Sequence, residues 1–257
     1  MTTNNIKKLL EKINGKHFVS DIFHSLTNNK NLKIINTKKI PQLWTKIHFK
    51  TYPRFDKIDF KHIKIPKSRL RQIINTRRSS RQFTGISISK NELYHLLSSS
   101  SGLIDSGKPI DNSRRPYPSA GARYPLEVYL LIQNCNTIEK GLYHYNVKEN
   151  VLELLLKEDL ERWLIKATGR EEWIRKAAVV FIITGVLDRT RIKYGDRGYR
   201  YSLLEAGHLG QNICLLATEL GLGSCLIGGY IDDEVNKLLD ISLQNEVALY
   251  LTAIGRI

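Results

Sequence analysis

At 257 residues and 42% hydrophobic composition, the chain can bury one large core and is too apolar to be disordered. Its formal net charge of +15 suggests nucleic acid, yet residues 1–70 hold sixteen Lys and Arg against four Asp and Glu, a net +12 that leaves +3 for the remainder. No RRM, zinc-finger or helix-turn-helix pattern accompanies that charge, so a nucleic-acid partner is not expected.

No apolar run reaches the ~18 residues that a bilayer span needs, so a membrane is not expected either. The first eighteen residues carry lysines but no apolar core followed by a small-residue cleavage site, unlike a secretory signal. Cys135, Cys214 and Cys225 form no CxxC pair and have no His at zinc-ligand spacing, which argues against a disulfide framework and a structural metal. The expectation is a cytoplasmic protein.

Residues 1–66 read as a basic N-terminal arm. A short helical pattern covers Ile6–Ile13, and Tyr52–Pro66 alternates well enough to be extended, with Pro53 and Pro66 confining it to an edge or an arm. The charge there reads as a solvated face, with docking of an acidic partner or polyanion left open. The body spans residues 67–257. Ser68–Asn75 has a helical pattern, and Ser89 is a candidate N-cap for a second helix. A loop rich in Gly, Ser, Pro and Arg follows at Ser99–Pro118. Leu126–Gln133 suits a buried strand, and Gly141–Tyr145 with Val151–Leu156 form a candidate hairpin.

Asp159–Lys176 is helical in pattern, and Ala177–Leu187 is uncharged and β-branched, the strongest buried-strand signal in the chain. Tyr201–Leu222 predicts a long helix that is apolar over more than half its circumference, so it needs cover on several sides. Gly207 and Gly210 within it predict close approach of another helix. A final strand covers Glu246–Ile254. This order is α+β rather than a βαβ series, and no G-x-G-x-x-G supports a dinucleotide fold.

Four motifs carry chemistry. Arg77-Arg78-Ser79-Ser80-Arg81-Gln82-Phe83 offers guanidiniums and hydroxyls that can hold a phosphate, although a solvated turn would look the same. Pro118-Ser119-Ala120-Gly121-Ala122-Arg123-Tyr124-Pro125 places small residues between prolines, a rigid backbone that a flat ligand can approach. Leu226-Ile227-Gly228-Gly229-Tyr230 exposes backbone donors, and Gly255-Arg256 offers a last guanidinium.

In this order the motifs resemble the nitroreductase-like flavoproteins, over roughly Lys67 to Ile257. The resemblance implies a mostly antiparallel sheet flanked by helices, with FMN at a homodimer interface. It implies that Arg77 and Ser79 serve the phosphate and ribityl end, with Arg78 also in the cofactor site, and Arg81 the pyrimidine end. Pro118, Ser119, Ala120 and Gly121 would line the ring, Gly228 and Gly229 its reactive nitrogen, and Arg256 the phosphate. Ala122 departs from the pattern, since many members have Asn there.

The strings PSAGARYPLEVYL and GLYHY, and Lys193–Arg200 ahead of Glu205-Ala206-Gly207-His208, look like SagB-type and McbC-type dehydrogenases. FHSLTNN and TYPRFDKI in the arm share that look. This implies oxidation of thiazoline or oxazoline rings to azoles in a ribosomally made peptide, as in antibiotic biosynthesis, beside a cyclodehydratase partner. It assigns catalysis to Lys193 and Tyr194. Such a reaction needs a base, and a tyrosine serves near neutral pH when a cation favours its phenolate. Because adjacent residues on a helix point apart, the pair can share a site only if Lys193–Gly195 is a turn. The alternative is an NAD(P)H-dependent reductase of nitro, quinone or dehydroamino acid substrates on the same scaffold.

Overall fold

The computed structural model describes residues 19–28, 49–104, 113–169, 171–244 and 246–257. The helix expected at Ile6–Ile13 and part of the Ser99–Pro118 loop lie outside the described residues. The strands are β1 (Leu126–Ile132), β2 (Gly141–Asn146), β3 (Val151–Leu156), β4 (Val179–Gly185), β5 (Gly223–Ile227) and β6 (Val247–Gly255). They form one six-stranded sheet in the order β3-β2-β1-β4-β6-β5, with every neighbouring pair antiparallel. The helices are α1 (Val19–Thr27), α2 (Arg69–Thr76), α3 (Lys90–Ser101), α4 (Glu161–Ala167), α5 (Asp188–Tyr194), α6 (Arg197–Glu219) and α7 (Asp232–Leu239). The architecture is α+β, as the element order predicts.

All seven residues of β4 are buried, and their alternation feeds two cores. Val179, Phe181 and Ile183 meet Leu93, Leu96 and Leu97 of α3 and Leu209, Ile213 and Ala217 of α6. Val180 and Ile182 face Leu164 of α4, Ile174 and Val235 of α7 on the other side. At about 1.5–3 kcal/mol per buried Val, Ile or Phe, this strand is a principal source of stability. The edge strand β3, by contrast, is largely exposed.

Ser89 caps α3 as expected, and the cap is a full box: its hydroxyl accepts from the Glu92 N–H, while Glu92 accepts from the Ser89 N–H at 2.8 Å. Three expectations need correction. Asp159–Lys176 is not one helix; Gly169, at φ 74°, breaks it into α4 and a 3₁₀ turn at Glu172–Lys176. The long helix begins earlier, at Arg197. Gly210 is approached by the sheet side chains of Leu226 and Tyr250 rather than by a helix, and nothing lies within 4 Å of a methyl built at Gly207. Of the two alternatives for Tyr52–Pro66, the segment is an arm rather than an edge strand, and it leaves Phe55, Ile58, Phe60 and Ile63 exposed. Helices α1, α5 and α7 and strand β5 are additions to the sequence reading.

Candidate active site

The loop between Tyr117 and β1 adopts an expensive backbone. Gly121, Ala122 and Tyr124 take φ of 61°, 53° and 45°. The left-handed region disfavours side chains by about 1–2 kcal/mol per residue, so Ala122 and Tyr124 must be held there. Ser119 supplies part of the hold: its hydroxyl accepts the Tyr124 N–H at 2.9 Å and its carbonyl the Ala122 N–H at 3.1 Å. Arg115 lies 5.5 Å over the Tyr124 ring, and Tyr117 meets that ring edge-on. Arg189 of α5 completes the hold. Its carbonyl accepts from Arg123 Nε, its guanidinium donates to the Tyr124 carbonyl, and it pairs with Glu127 of β1 at 2.5 Å.

Helix α5 ends beside this loop. Gly195 caps it at φ 55°, which lets the chain reverse into α6 after one further residue. Lys193 and Tyr194 occupy the final turn rather than the open turn that the sequence reading required. Both nevertheless reach the loop. A methyl built at Gly121 would lie 2.6 Å from the Tyr194 hydroxyl and 3.1 Å from Lys193 Nζ. The ammonium stands 5.4 Å from the Tyr194 ring centre, and Tyr201 packs edge-on against that ring at 5.1 Å. Gly121 and Lys193 are exposed and Tyr194 is half-buried, so an external molecule can reach all three.

Glu205 of α6 lies behind the loop, only 2% exposed. One carboxylate oxygen accepts the Ala120 N–H at 2.9 Å. Burial pushes the carboxyl above its ordinary range, opposed by the Ala120 N–H, the Ser119 hydroxyl, and the charges of His208 and Arg115. The sequence reading missed Glu205. Its signal was a carboxylate on the stripe Ser202, Glu205, Ala206, Leu209, Ile213, which is otherwise small or apolar.

The predicted phosphate residues lie at the β5 edge. Ser79 bridges Ser224, and the Ser80 N–H donates to the Ser224 carbonyl at 2.8 Å. The chain crosses the sheet edge there. Burial pushes the Cys214 and Cys225 thiols up, opposed by the Arg77 charge at Cys214 and the Arg81 charge at Cys225, and Arg81 stands over the Trp173 ring. Arg78 turns back to the carbonyls of Asn75 and Arg77. Arg256 donates to Glu92 at 2.8 Å. Burial opposes ionisation of Glu92, but Ser89 and Arg256 outweigh it and hold the carboxyl low. Gly228 and Gly229 follow β5 directly, both exposed, and a methyl at Gly228 would find nothing nearer than 3.8 Å.

This donor set fits a flavin nucleotide in two respects. Arg77 has no carboxylate partner among the described residues, so it can give a phosphate its charge. Gly121, Gly228 and Gly229 are exposed, and the open space around Gly228 leaves backbone that a planar ring can approach.

The nitroreductase family profile matches residues 74–256. Over 192 residues the chain is 34% identical to "Putative nitroreductase MJ1384" of Methanocaldococcus jannaschii, covering 75% of this chain and 93% of that protein. It is 33% identical over 149 residues to the microcin B17-processing protein McbC of Escherichia coli. That alignment covers 55% of this chain and 54% of McbC, so the chain spans about half the length of that relative. A solved E. coli microcin synthetase McbBCD complex with truncated pro-MccB17 bound shares the fold at TM-score 0.70 and 23% identity, covering 92% of this chain and 91% of the matched chain.

Proposed function

The chain belongs to the nitroreductase family, and on that premise we propose that it is an FMN-dependent dehydrogenase converting thiazoline or oxazoline rings to azoles in a ribosomally made peptide. Members of that family typically bind flavin. The observation that carries the reading is the convergence of Tyr194 Oη and Lys193 Nζ on Gly121 of the small-residue loop. Aromatising an azoline removes a Cα proton and a hydride. Bound FMN would supply the hydride acceptor. Tyr194 takes the proton, and Lys193 favours the phenolate that can do so. Arg77 and Ser79 hold the phosphate and ribityl end with Arg256 as the second phosphate contact and Arg78 beside them, Arg81 serves the pyrimidine end, and Pro118–Gly121, Gly228 and Gly229 lie beside the ring. The chain works as a homodimer, consistent with the exposed Leu203, Leu204 and open Gly207 of α6, and receives its substrate from a cyclodehydratase. Residues 1–66 form an arm ahead of the catalytic domain, residues 67–257.

The test is to incubate the FMN-loaded protein with a peptide and its cyclodehydratase and to follow loss of two hydrogens per ring by mass spectrometry. Azolines left unoxidised, with the cyclodehydratase active, would overturn the reading. The second reading, an NAD(P)H-dependent reductase, is favoured by the 34% identity to the M. jannaschii protein. Fast anaerobic bleaching of the flavin by NADPH, with a nitro or quinone acceptor turned over, would support it.

A further inference from the structure

We infer that Glu205 is a positioning residue: through the Ala120 N–H, its buried carboxylate sets the 118–125 loop so that Gly121 seats Tyr194 and Lys193. The role of that pair rests on the function proposed above; the effect of Glu205 on the loop does not.

Four observations meet at this residue. Glu205 is buried in the helix that covers the first core, where an unpaired carboxylate would be costly, and it points at a loop that reaches the surface rather than at another core group. Its bond to Ala120 enters the loop one residue before Gly121. Three of the four residues at 121–124 have positive φ, two of them with side chains, so the loop needs restraint along its whole length. The remaining restraints, from Ser119 within the loop, Arg115 and Tyr117 just before it and Arg189 outside it, fix Ala122, Arg123 and Tyr124 but not Ala120. Glu205 is thus the fastening at the end nearest the pair.

Contact geometry makes the fastening matter. A methyl built at Gly121 would stand 2.6 Å from the Tyr194 hydroxyl and 3.1 Å from the Lys193 ammonium, so both groups crowd the glycine's open face. Neither group is otherwise clamped by a protein carboxylate among the described residues, so the loop backbone is the wall that orients them. A carboxylate suits the task because it only accepts, and one of its oxygens takes the Ala120 N–H. Glutamine keeps one accepting oxygen for Ala120; leucine keeps none.

The experiment compares wild type, Glu205→Gln and Glu205→Leu, each reconstituted with FMN, by amide hydrogen exchange across residues 118–124 and 193–195 and by turnover of a presented azoline peptide. The leucine variant should speed exchange at Ala120 and Tyr124 at least tenfold and lower kcat at least tenfold at unchanged flavin content. The glutamine variant should restore the protection and most of kcat. If the leucine variant fails to fold, Ala120→Pro removes the same bond from the other side. Ser119, at φ −130° and ψ 138°, already has the extended backbone that precedes proline. Exchange at Ala122 and Tyr124 then gives the reading. Unchanged exchange in Glu205→Leu, or lost protection with full turnover, overturns the role assigned to Glu205. If wild type itself leaves the azoline unoxidised, the proposed function fails, and exchange alone decides whether Glu205 sets the loop.

Discussion

The carboxylate of Asp21 on α1 is bonded to the guanidinium of Arg191 on α5, two residues before Lys193, and Arg191 is buried there. Ser20 extends the junction. Its hydroxyl accepts from Arg191 at 2.9 Å, and its N–H and O–H donate to Asp196 on the far side of Gly195. Helix α1 therefore straddles the turn that carries Lys193 and Tyr194. Asp21→Asn leaves the Arg191 charge without its main partner, and breaking a buried pair from one side costs about 3–5 kcal/mol. We expect the urea midpoint to fall by more than about 1 M, given m near 1–3 kcal/mol/M. An unchanged midpoint would show that α1 is not coupled to the fold.

The same helix predicts a pH dependence. His24 is buried and shares a 2.9 Å hydrogen bond with the Tyr199 hydroxyl. Burial lowers its pKa, opposed by Asp232 and Asp21 and reinforced by Arg191. The folded value lies below the unfolded one, so the unfolded chain binds more protons and stability falls with pH from about 6.5 down to the lowered value. Above that window the contribution is complete. Denaturation at pH 7.5 and pH 5.5 should show a loss that Tyr199→Phe barely changes and His24→Gln abolishes.

Gly121→Ala should damage the site more than the fold. A left-handed alanine costs about 1–2 kcal/mol, a Tm decrease of roughly 2–8 °C for a chain of this size. The new methyl would meet the Tyr194 hydroxyl at 2.6 Å, and displacing that group by even 1 Å can cost about 10²-fold in rate. Thermal melting and turnover together check this. Loss of stability with turnover intact would detach Gly121 from the chemistry.

Much of the fold was legible because its signals are local. The β-branched run at Ala177–Leu187 could only be a buried strand, and Ser89 with Glu92 marks its helix start within four residues. The N-terminus of α6 was missed because Gly195 and Gly198 suggest a loop. In the structure Gly195 caps α5, and Gly198 lets α6 pack against the backbone of Thr190 and Arg191. In the candidate site, the proposed Lys193, Tyr194 and 118–125 loop stood out as motifs, whereas Glu205, Arg189 and Asp21 act across 66 to 170 residues through bonds that no local pattern encodes.

Arg77→Ala tests the phosphate assignment. Hydrogen bonds to charged groups contribute roughly 1.5–3 kcal/mol, so FMN should bind about 10- to 100-fold more weakly. Arg78→Ala should have a smaller effect, since its guanidinium is already bonded to the carbonyls of Asn75 and Arg77. Fluorescence titration of the apoprotein with FMN gives both constants. Equal losses, or none, would mean that the phosphate is held elsewhere.

The base assignment gives the sharpest test. Tyr194→Phe keeps the ring, and with it the edge-on packing against Tyr201, and removes only the hydroxyl facing Gly121. Flavin content, oligomeric state and Tm should therefore stay near wild type, while azoline oxidation falls by about 10²–10⁴-fold, the usual contribution of a positioned base. Lys193→Ala removes the cation from the same step. If the two residues act as one unit, the double variant should lose little more than the worse single variant, because such effects are not additive. Two independent contributions would instead multiply. The assay must use the cognate peptide with its cyclodehydratase, so that a failure of presentation is not read as a failure of chemistry. A fully flavin-loaded Tyr194→Phe that oxidises the ring at the wild-type rate places the base on another residue, even though Tyr194 and Lys193 meet at Gly121.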